Sequence, residues 1–282
     1  MLGLIVKGIA GFYYVRYEST VYQCKARGIF KKDSITPAVG DHVEFDVLDV
    51  DEGVINTILP RHNHFIRPPI ANVDCFIIVL AAAQPKPNLL ILDKFLVTAE
   101  KADTPAVICI NKIDLSTEAI LRTIESTYTG IYPIIKVSCI TGAGLDLIPE
   151  YIKDRKVALA GPSGVGKSTM INKLQSGLNL ETGSVSTKTK RGRHITRHVE
   201  LFEVDFGGMI FDTPGFTSFD AFRTVDGELS EYFPEMAEYL GKCKFDNCRH
   251  LREPGCAVLD AVKGSKIAAS RYKSYMTQLT EN

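Results

Sequence analysis

The sequence predicts a multidomain α/β chain: a small N-terminal β-barrel, a central α/β domain on a largely parallel sheet, and a C-terminal helical module clipped by a metal ion. Three observations predict it. Five short β-type runs with no convincing helix fill the first 66 residues. Buried-strand runs then alternate with amphipathic stretches around a glycine-rich loop. Three of the seven cysteines crowd beside one histidine near the C-terminus.

The length of 282 residues exceeds what one small core organises, so two or three units are expected. Hydrophobic residues at 45% and charged residues at 23% suit a soluble protein with real cores. A net charge of zero excludes a globally basic nucleic-acid binder and leaves RNA contacts to local patches. The Met1–Val6 run is too short for an export signal, and Cys75–Ala83 is about half a membrane span. An odd cysteine count argues against a disulfide framework. These features read as a cytosolic protein with no membrane partner, acting as a monomer.

Residues 1–66 carry β-runs at Leu4–Gly8, Phe12–Tyr17, Thr20–Lys25, His42–Val47 and Val54–Ile58, separated by turn residues such as Pro37 and Gly40. Short strands punctuated in this way close into an OB-like β-barrel. Pro60 and Arg67-Pro68-Pro69 read as a linker. Residues 67–220 form the α/β domain. Strand runs at Cys75–Leu80, Ala106–Ile110, Ile134–Val137 and Val157–Ala160 accompany a helix at Leu89–Lys101, which indicates βαβ units. Val199–Val204 and Met209–Phe211 flank Gly207-Gly208, a hairpin-like turn. Residues 221–282 form the helical module, with helices at Val258–Lys263 and Lys266–Gln278 broken at Gly264 and with little apolar content of its own.

Gly161-Pro162-Ser163-Gly164-Val165-Gly166-Lys167-Ser168-Thr169 follows one of those strands and opens a helical stretch, Thr169–Leu174. This is a phosphate loop in its required setting. Glycines let backbone N–H groups close on phosphate oxygens, and the helix N-terminus adds positive potential. Lys167 reaches the β- and γ-phosphates, Ser168 binds magnesium, and Thr169 meets the α-phosphate.

Asn111-Lys112-Ile113-Asp114 ends another strand. The Asp114 carboxylate accepts both N1–H and N2–H of guanine, a match adenine cannot make. Lys112 lays its stem over the base and Asn111 braces neighbouring loops. Ser138-Cys139 ends a third strand and resembles the Ser-Ala loop of GTPases, with Cys139 for the usual Ala; the resemblance implies a backbone N–H for guanine O6. The bound nucleotide is therefore expected to be GTP or GDP with magnesium.

Asp212-Thr213-Pro214-Gly215 follows the last strand: Asp212 holds magnesium through a water, and the Gly215 N–H senses the γ-phosphate. Phe216 stands where Ras-like enzymes place a water-orienting glutamine, so another group must serve. In the basic segment Lys188–His198, Thr196 is the choice for completing the magnesium shell ahead of Thr187 and Thr189. His194 either positions the attacking water or touches RNA phosphates, and the two roles are compatible. Cys243, Cys248, His250 and Cys256 supply three thiolates and an imidazole, the donor set of a closed structural zinc site.

The guanine motif thus precedes the phosphate loop, reversing the usual order while leaving every loop on one sheet edge. This permutation, with a barrel before it and a Cys-Cys-His-Cys module after it, resembles the RsgA (YjeQ/YloQ) family of ribosome-assembly GTPases. Gly161–Thr169, Asn111–Asp114, Arg191-Gly192-Arg193-His194 and Asp212–Gly215 carry the resemblance. It implies a circularly permuted P-loop GTPase that binds the small ribosomal subunit and its rRNA late in maturation. There the particle stimulates hydrolysis, which drives release. The family's usual Arg-Gly-Arg-His-Thr-Thr reads Arg-Gly-Arg-His-Ile-Thr here, which leaves Thr196 to bind magnesium, and the family's proposed catalytic histidine maps onto His194. The competing reading is a zinc-dependent RNA-binding adaptor with an idle nucleotide site, which Phe216 favours. A further rival is an ATP-using P-loop enzyme such as a small-molecule kinase.

Overall fold

The computed structural model describes residues 1–27, 30, 35–175, 199–213 and 229–281. The chain opens with β1 (Leu2–Ile9), β2 (Phe12–Tyr17), β3 (Thr20–Ala26), β4 (His42–Asp49) and β5 (Glu52–Ile58). Alternation makes these strands: in β4, Val43 and Phe45 turn inward between exposed His42, Glu44 and Asp46. β1, β2 and β3 pair antiparallel in turn, β3 pairs parallel with β5, and β4 closes back onto β1. The closed five-stranded barrel buries Ile5, Val15, Cys24, Val43, Phe45 and Ile55 completely. Closure removes the open edges that would otherwise invite association.

The segment read as a linker is more ordered than expected. His64–Phe65 (β6) and Ile70–Ala71 (β7) form a small hairpin, and Phe65 meets Phe76 edge-on with ring centroids 5.2 Å apart. Phe65 and Ile70 are both buried, so the prolines set the path of a wedge between barrel and sheet. Fully buried Asp41 accepts two hydrogen bonds from Arg61, which pins the wedge to the barrel.

The central domain runs β8 (Cys75–Ala81), α1 (Leu89–Lys101), β9 (Ala106–Asn111), α2 (Glu118–Tyr128), β10 (Ile134–Lys136), the single turn α3 (Pro149–Ile152), β11 (Lys156–Ala160), α4 (Lys167–Leu174), β12 (Val199–Glu203) and β13 (Met209–Asp212). In space the parallel order is β10-β9-β8-β11-β13, with β12 antiparallel on its flank. All seven residues of β8 are buried: Phe76, Ile78 and Leu80 enter one core while Cys75, Ile77, Val79 and Ala81 enter the other. That two-sided burial is why the strand reads as an unbroken apolar run. α2 was not foreseen, because its buried face is narrow, carried by Ile124, Thr127 and Tyr128.

Two further features depart from the sequence reading. β12 also pairs with β1 through Lys7↔Glu200 and Gly8↔Val199, so barrel and central sheet share eleven strands. The C-terminal module, with α5 (Ala257–Lys263) and α6 (Ala269–Glu281), has a substantial apolar core. Leu229, Phe233, Met236, Val258, Ile267, Tyr275 and Leu279 pack there together with Val97 of α1. The expectation of small apolar content failed because the buried residues are scattered singly among polar ones between Leu229 and Leu279, and only packing gathers them into one core. The second helix begins at Ala269, three residues later than expected. Among the described residues no helix is long and apolar enough to cross a membrane.

Candidate nucleotide site and metal centre

The phosphate loop leaves β11 at Gly161 and enters α4 at Lys167. Gly161 has φ +138°, and a Cβ there would lie 2.2 Å from the Val79 carbonyl oxygen; at Gly166, with φ +104°, it would lie 2.3 Å from Asn111 Nδ2. Only glycine fits either position, and this close approach draws the neighbouring strands onto the loop. Val165 is buried, whereas Ser163 and Gly164 are exposed and Pro162, Ser168 and Thr169 are half-buried. The Lys167 ammonium folds back into the loop, donating to Gly161 O at 2.6 Å and Pro162 O at 2.9 Å. Burial pushes its pKa down to about 8.

Asn111 joins three loops. Its Nδ2 donates to Val165 O at 2.8 Å, and its Oδ1 accepts from Lys112 N at 2.8 Å and from Cys139 N at 3.2 Å. Lys112 adopts φ +63° and sends its ammonium to Gly164 O at 2.8 Å and to Gln84 O at 2.5 Å. Asp114 sits in the next turn, Ile113–Leu115, and is exposed at the rim. Fully buried Ser138 accepts from Thr141 N at 3.1 Å through Oγ, holding a tight turn beneath Cys139. Burial raises the Cys139 thiol pKa, so it packs as a neutral side chain.

β13 lies beside β11 in parallel register, Ala158 opposite Phe211, so Asp212 and buried Thr213 leave the sheet next to the phosphate loop. His194, Thr196, the neighbouring basic residues, Gly215 and Phe216 lie outside the described residues. Asn111, Lys112, the Ser138–Cys139 turn and Gly161–Thr169 are thus brought together, with Asp212 on the adjoining strand. The sequence reading missed the 82–88 segment. Ala82 N donates to Asn111 O and Ala82 O accepts from Ser116 Oγ, while Gln84 O receives Lys112. Main-chain carbonyls leave no residue-type signature, so no sequence signal could have exposed them.

At the far end of the chain the ligand atoms of Cys243, Cys248, His250 and Cys256 all lie within 4.8 Å of one another. Cys243 Sγ stands 3.9 Å from Cys256 Sγ and 3.5 Å from His250 Nδ1, which is 3.4 Å from Cys256 Sγ. A tetrahedral zinc with Zn–S of about 2.3 Å and Zn–N of about 2.05 Å requires separations of about 3.8 Å and about 3.6 Å. The donor set therefore fits the ion. The loop has its own supports, also missed from sequence. Glu253 accepts the backbone N–H groups of Arg249, Leu251 and Arg252, while Tyr272 and Tyr275 of α6 donate to His250 O and Arg249 O.

A parallel sheet whose strand ends gather a phosphate loop and an Asn-Lys-x-Asp loop, in that inverted chain order, defines a circularly permuted P-loop GTPase. The RsgA GTPase family model matches residues 58–222, and the RsgA N-terminal domain model matches residues 2–55. This chain belongs to the RsgA family and is a GTP hydrolase. It is 46% identical over 280 residues to the small ribosomal subunit biogenesis GTPase RsgA of Caldanaerobacter subterraneus, covering 99% of this chain and 95% of that protein. The Ruminiclostridium cellulolyticum protein of the same name is 43% identical over 280 residues, covering 98% and 92%. Among solved structures, YjeQ from Thermotoga maritima superposes with a TM-score of 0.85 at 37% identity, covering 99% of this chain and 97% of that one. YloQ, a circularly permuted GTPase, gives 0.80 at 36%, covering 99% and 94%.

Proposed function

We propose that this GTPase acts on the small ribosomal subunit late in its maturation, that the particle stimulates hydrolysis, and that hydrolysis drives release. Asn111 carries the nucleotide reading: one buried amide ties the base-reading loop, the Ser138 turn and the phosphate loop into a single crevice. The partner rests on the names of relatives sharing more than two fifths of their residues with this chain.

In this reading Asp114 takes guanine N1–H and N2–H, Lys112 covers the base, and the Cys139 backbone side of the turn meets O6. The backbone from Gly161 to Gly166 wraps the phosphates, Lys167 leaves its carbonyls for the β- and γ-oxygens, and Thr169 meets the α-phosphate. Magnesium, when bound with GTP, would supply positive charge that offsets the charge developing on the phosphates. Ser168, Thr196 and, through water, Asp212 are the residues that would hold it. Gly215 reads the γ-phosphate, and His194 orients the attacking water. Cys243, Cys248, His250 and Cys256 hold one structural zinc. Basic residues of the 188–197 segment and of the zinc module, Lys244, Arg249 and Arg252, meet rRNA phosphates.

Multiple-turnover phosphate release, measured with small subunits, large subunits and no particle, tests this proposal. Small subunits are expected to accelerate release selectively, and Lys167→Ala to lower the stimulated rate at least about a hundredfold. No release under any condition favours the adaptor reading. Equal stimulation by both subunits removes the proposed partner specificity.

A further inference from the structure

Arg271 is a fully buried arginine on α6, a helix of mainly polar composition. Its Nη1 donates to Asp93 Oδ1 of α1 at 2.6 Å, while Nε and Nη2 form a two-point fork on Glu235, at 2.6 Å and 3.0 Å. Asp93 is itself fully buried and also accepts from Tyr128 Oη of α2 at 2.7 Å. The guanidinium lies 4.6 Å from the Phe233 ring centroid and 5.5 Å from that of Tyr128. One cation thus binds a carboxylate of its own module and a carboxylate of the GTPase domain at once.

If holding the domains together were the whole task, apolar packing would serve. Buried ion clusters add little net stability over hydrophobic replacements of similar volume, because desolvation cancels most of the Coulomb gain. They do impose direction: a planar fork on one carboxylate and a single bond to another fix the rotation of α6 on α1. The ion pair Lys94–Glu281 and the entry of Val97 into the module core lie along the same α1–α6 seam.

The N-terminal end of α1, about one turn before Asp93, leads back to the nucleotide crevice. Asn88 Oδ1 caps the helix at Ile91 N, and the segment before it carries Ala82, bonded to Asn111 O, and Gln84, whose carbonyl receives Lys112 Nζ. Asp93 is the fifth residue of this helix, about 6 Å along its axis from Leu89. Shifting it at Asp93 therefore shifts the carbonyl that aims Lys112.

We propose that Arg271 is a positioning residue for the nucleotide site, setting the Lys112 side chain through Asp93 and α1. The module is thereby coupled to the base-binding wall directly, in addition to its chain connection beyond the phosphate-sensing strand. The inference rests on the reading of Lys112 as part of the base site. Its consequence is reciprocal: whatever tilts the module changes nucleotide affinity, and nucleotide changes the module's preferred tilt by the same factor.

A double-mutant cycle tests this. Arg271→Ala alone would strand two buried carboxylates, so the cycle uses Arg271→Met/Asp93→Asn/Glu235→Gln, which neutralises the cluster together. Arg271→Lys, which keeps the charge but loses the fork, is run in parallel as the variant most certain to fold. Affinity for a fluorescent GDP analogue is measured in each, alone and with Lys112→Ala, alongside zinc content and thermal midpoint. The neutral cluster is expected to bind GDP about tenfold more weakly with one zinc retained, and Arg271→Lys about threefold more weakly. Adding either change to Lys112→Ala is expected to cost nothing further. Losses that multiply overturn the proposal, as does wild-type affinity in Arg271→Lys. If Lys112→Ala alone leaves affinity unchanged, the base-site reading fails and the inference with it. A normal Lys112→Ala loss with multiplying effects removes the inference alone.

Discussion

The nucleotide crevice and the cysteine–histidine cluster are both motif sites, yet they are held in opposite ways. In the crevice the main chain is the site. Gly161 and Gly166 bring strands into contact, Asn111 makes three hydrogen bonds to loop backbones, and Lys167 is parked on carbonyls that a phosphate would replace. In the cluster the four ligand atoms face one another, Cys256 Sγ also accepting from Leu259 N at 3.4 Å, and Glu253, Tyr272 and Tyr275 steady the loop from outside. The first site is preorganised by folding, and the second has a donor set that an ion would complete. That contrast predicts which of the two survives loss of its occupant.

The largest expected effect comes from removing the metal. Structural zinc bound to such a set contributes on the order of 10 kcal/mol to the folded state of the segment it closes. Chelation, or Cys243→Ser, is expected to abolish hydrogen-exchange protection across 242–256. Protection in α6 should persist, because Leu229, Phe233, Val258 and Tyr275 pack together and against Val97 of α1 without themselves binding the ion. The 106–171 region should keep both protection and GDP affinity. Simultaneous loosening of the crevice would break the comparison.

Next in size is the base contact. Asp114 lies exposed at the end of a braced loop, so its substitution alters recognition without disturbing the fold. Asparagine replaces one of the two acceptors with a donor. Asp114→Asn is expected to weaken GDP about 10- to 100-fold, the worth of a charge-assisted bond, and to improve binding of xanthosine diphosphate, whose C2 carbonyl accepts from the new amide. Competition between the two nucleotides reads the change. Unchanged guanine preference would place the base elsewhere.

What the sequence revealed follows the same division. Asn111, the phosphate-loop glycines and the four metal donors were legible because each acts through its own side chain, or lack of one, at a fixed spacing. The five barrel strands and α1 were legible through local periodicity. The rest depends on partners distant in the chain. Lys7 and Glu200 give no local sign that β1 and β12 will pair, and Gln84 contributes only its carbonyl. Phe65 and Ile70 were hidden by the prolines between them. Arg271 reads as an ordinary solvated arginine until Asp93, 178 residues earlier, arrives to neutralise it.

The smallest effect expected is also the one that probes how the crevice waits for its ligand. Burial holds Lys167 at about 8 where an exposed lysine sits at 10.5, and phosphate oxyanions restore the preference for the charged form. Below pH 8 the side chain is protonated free and bound, so it contributes no pH dependence. Above it the free protein has lost a proton that binding must regain. GDP affinity should therefore fall as pH rises, by about fourfold between about pH 7 and about pH 8.5, with measurable proton uptake by calorimetry in buffers of different ionisation enthalpy. Stability of the nucleotide-free protein moves the other way. The unfolded chain binds the extra proton between about 8 and 10.5, so folding strengthens as pH rises through that window. Lys167→Met should remove both slopes together. Affinity that is flat across the range would mean the ammonium stays on the Gly161 and Pro162 carbonyls after the nucleotide has bound.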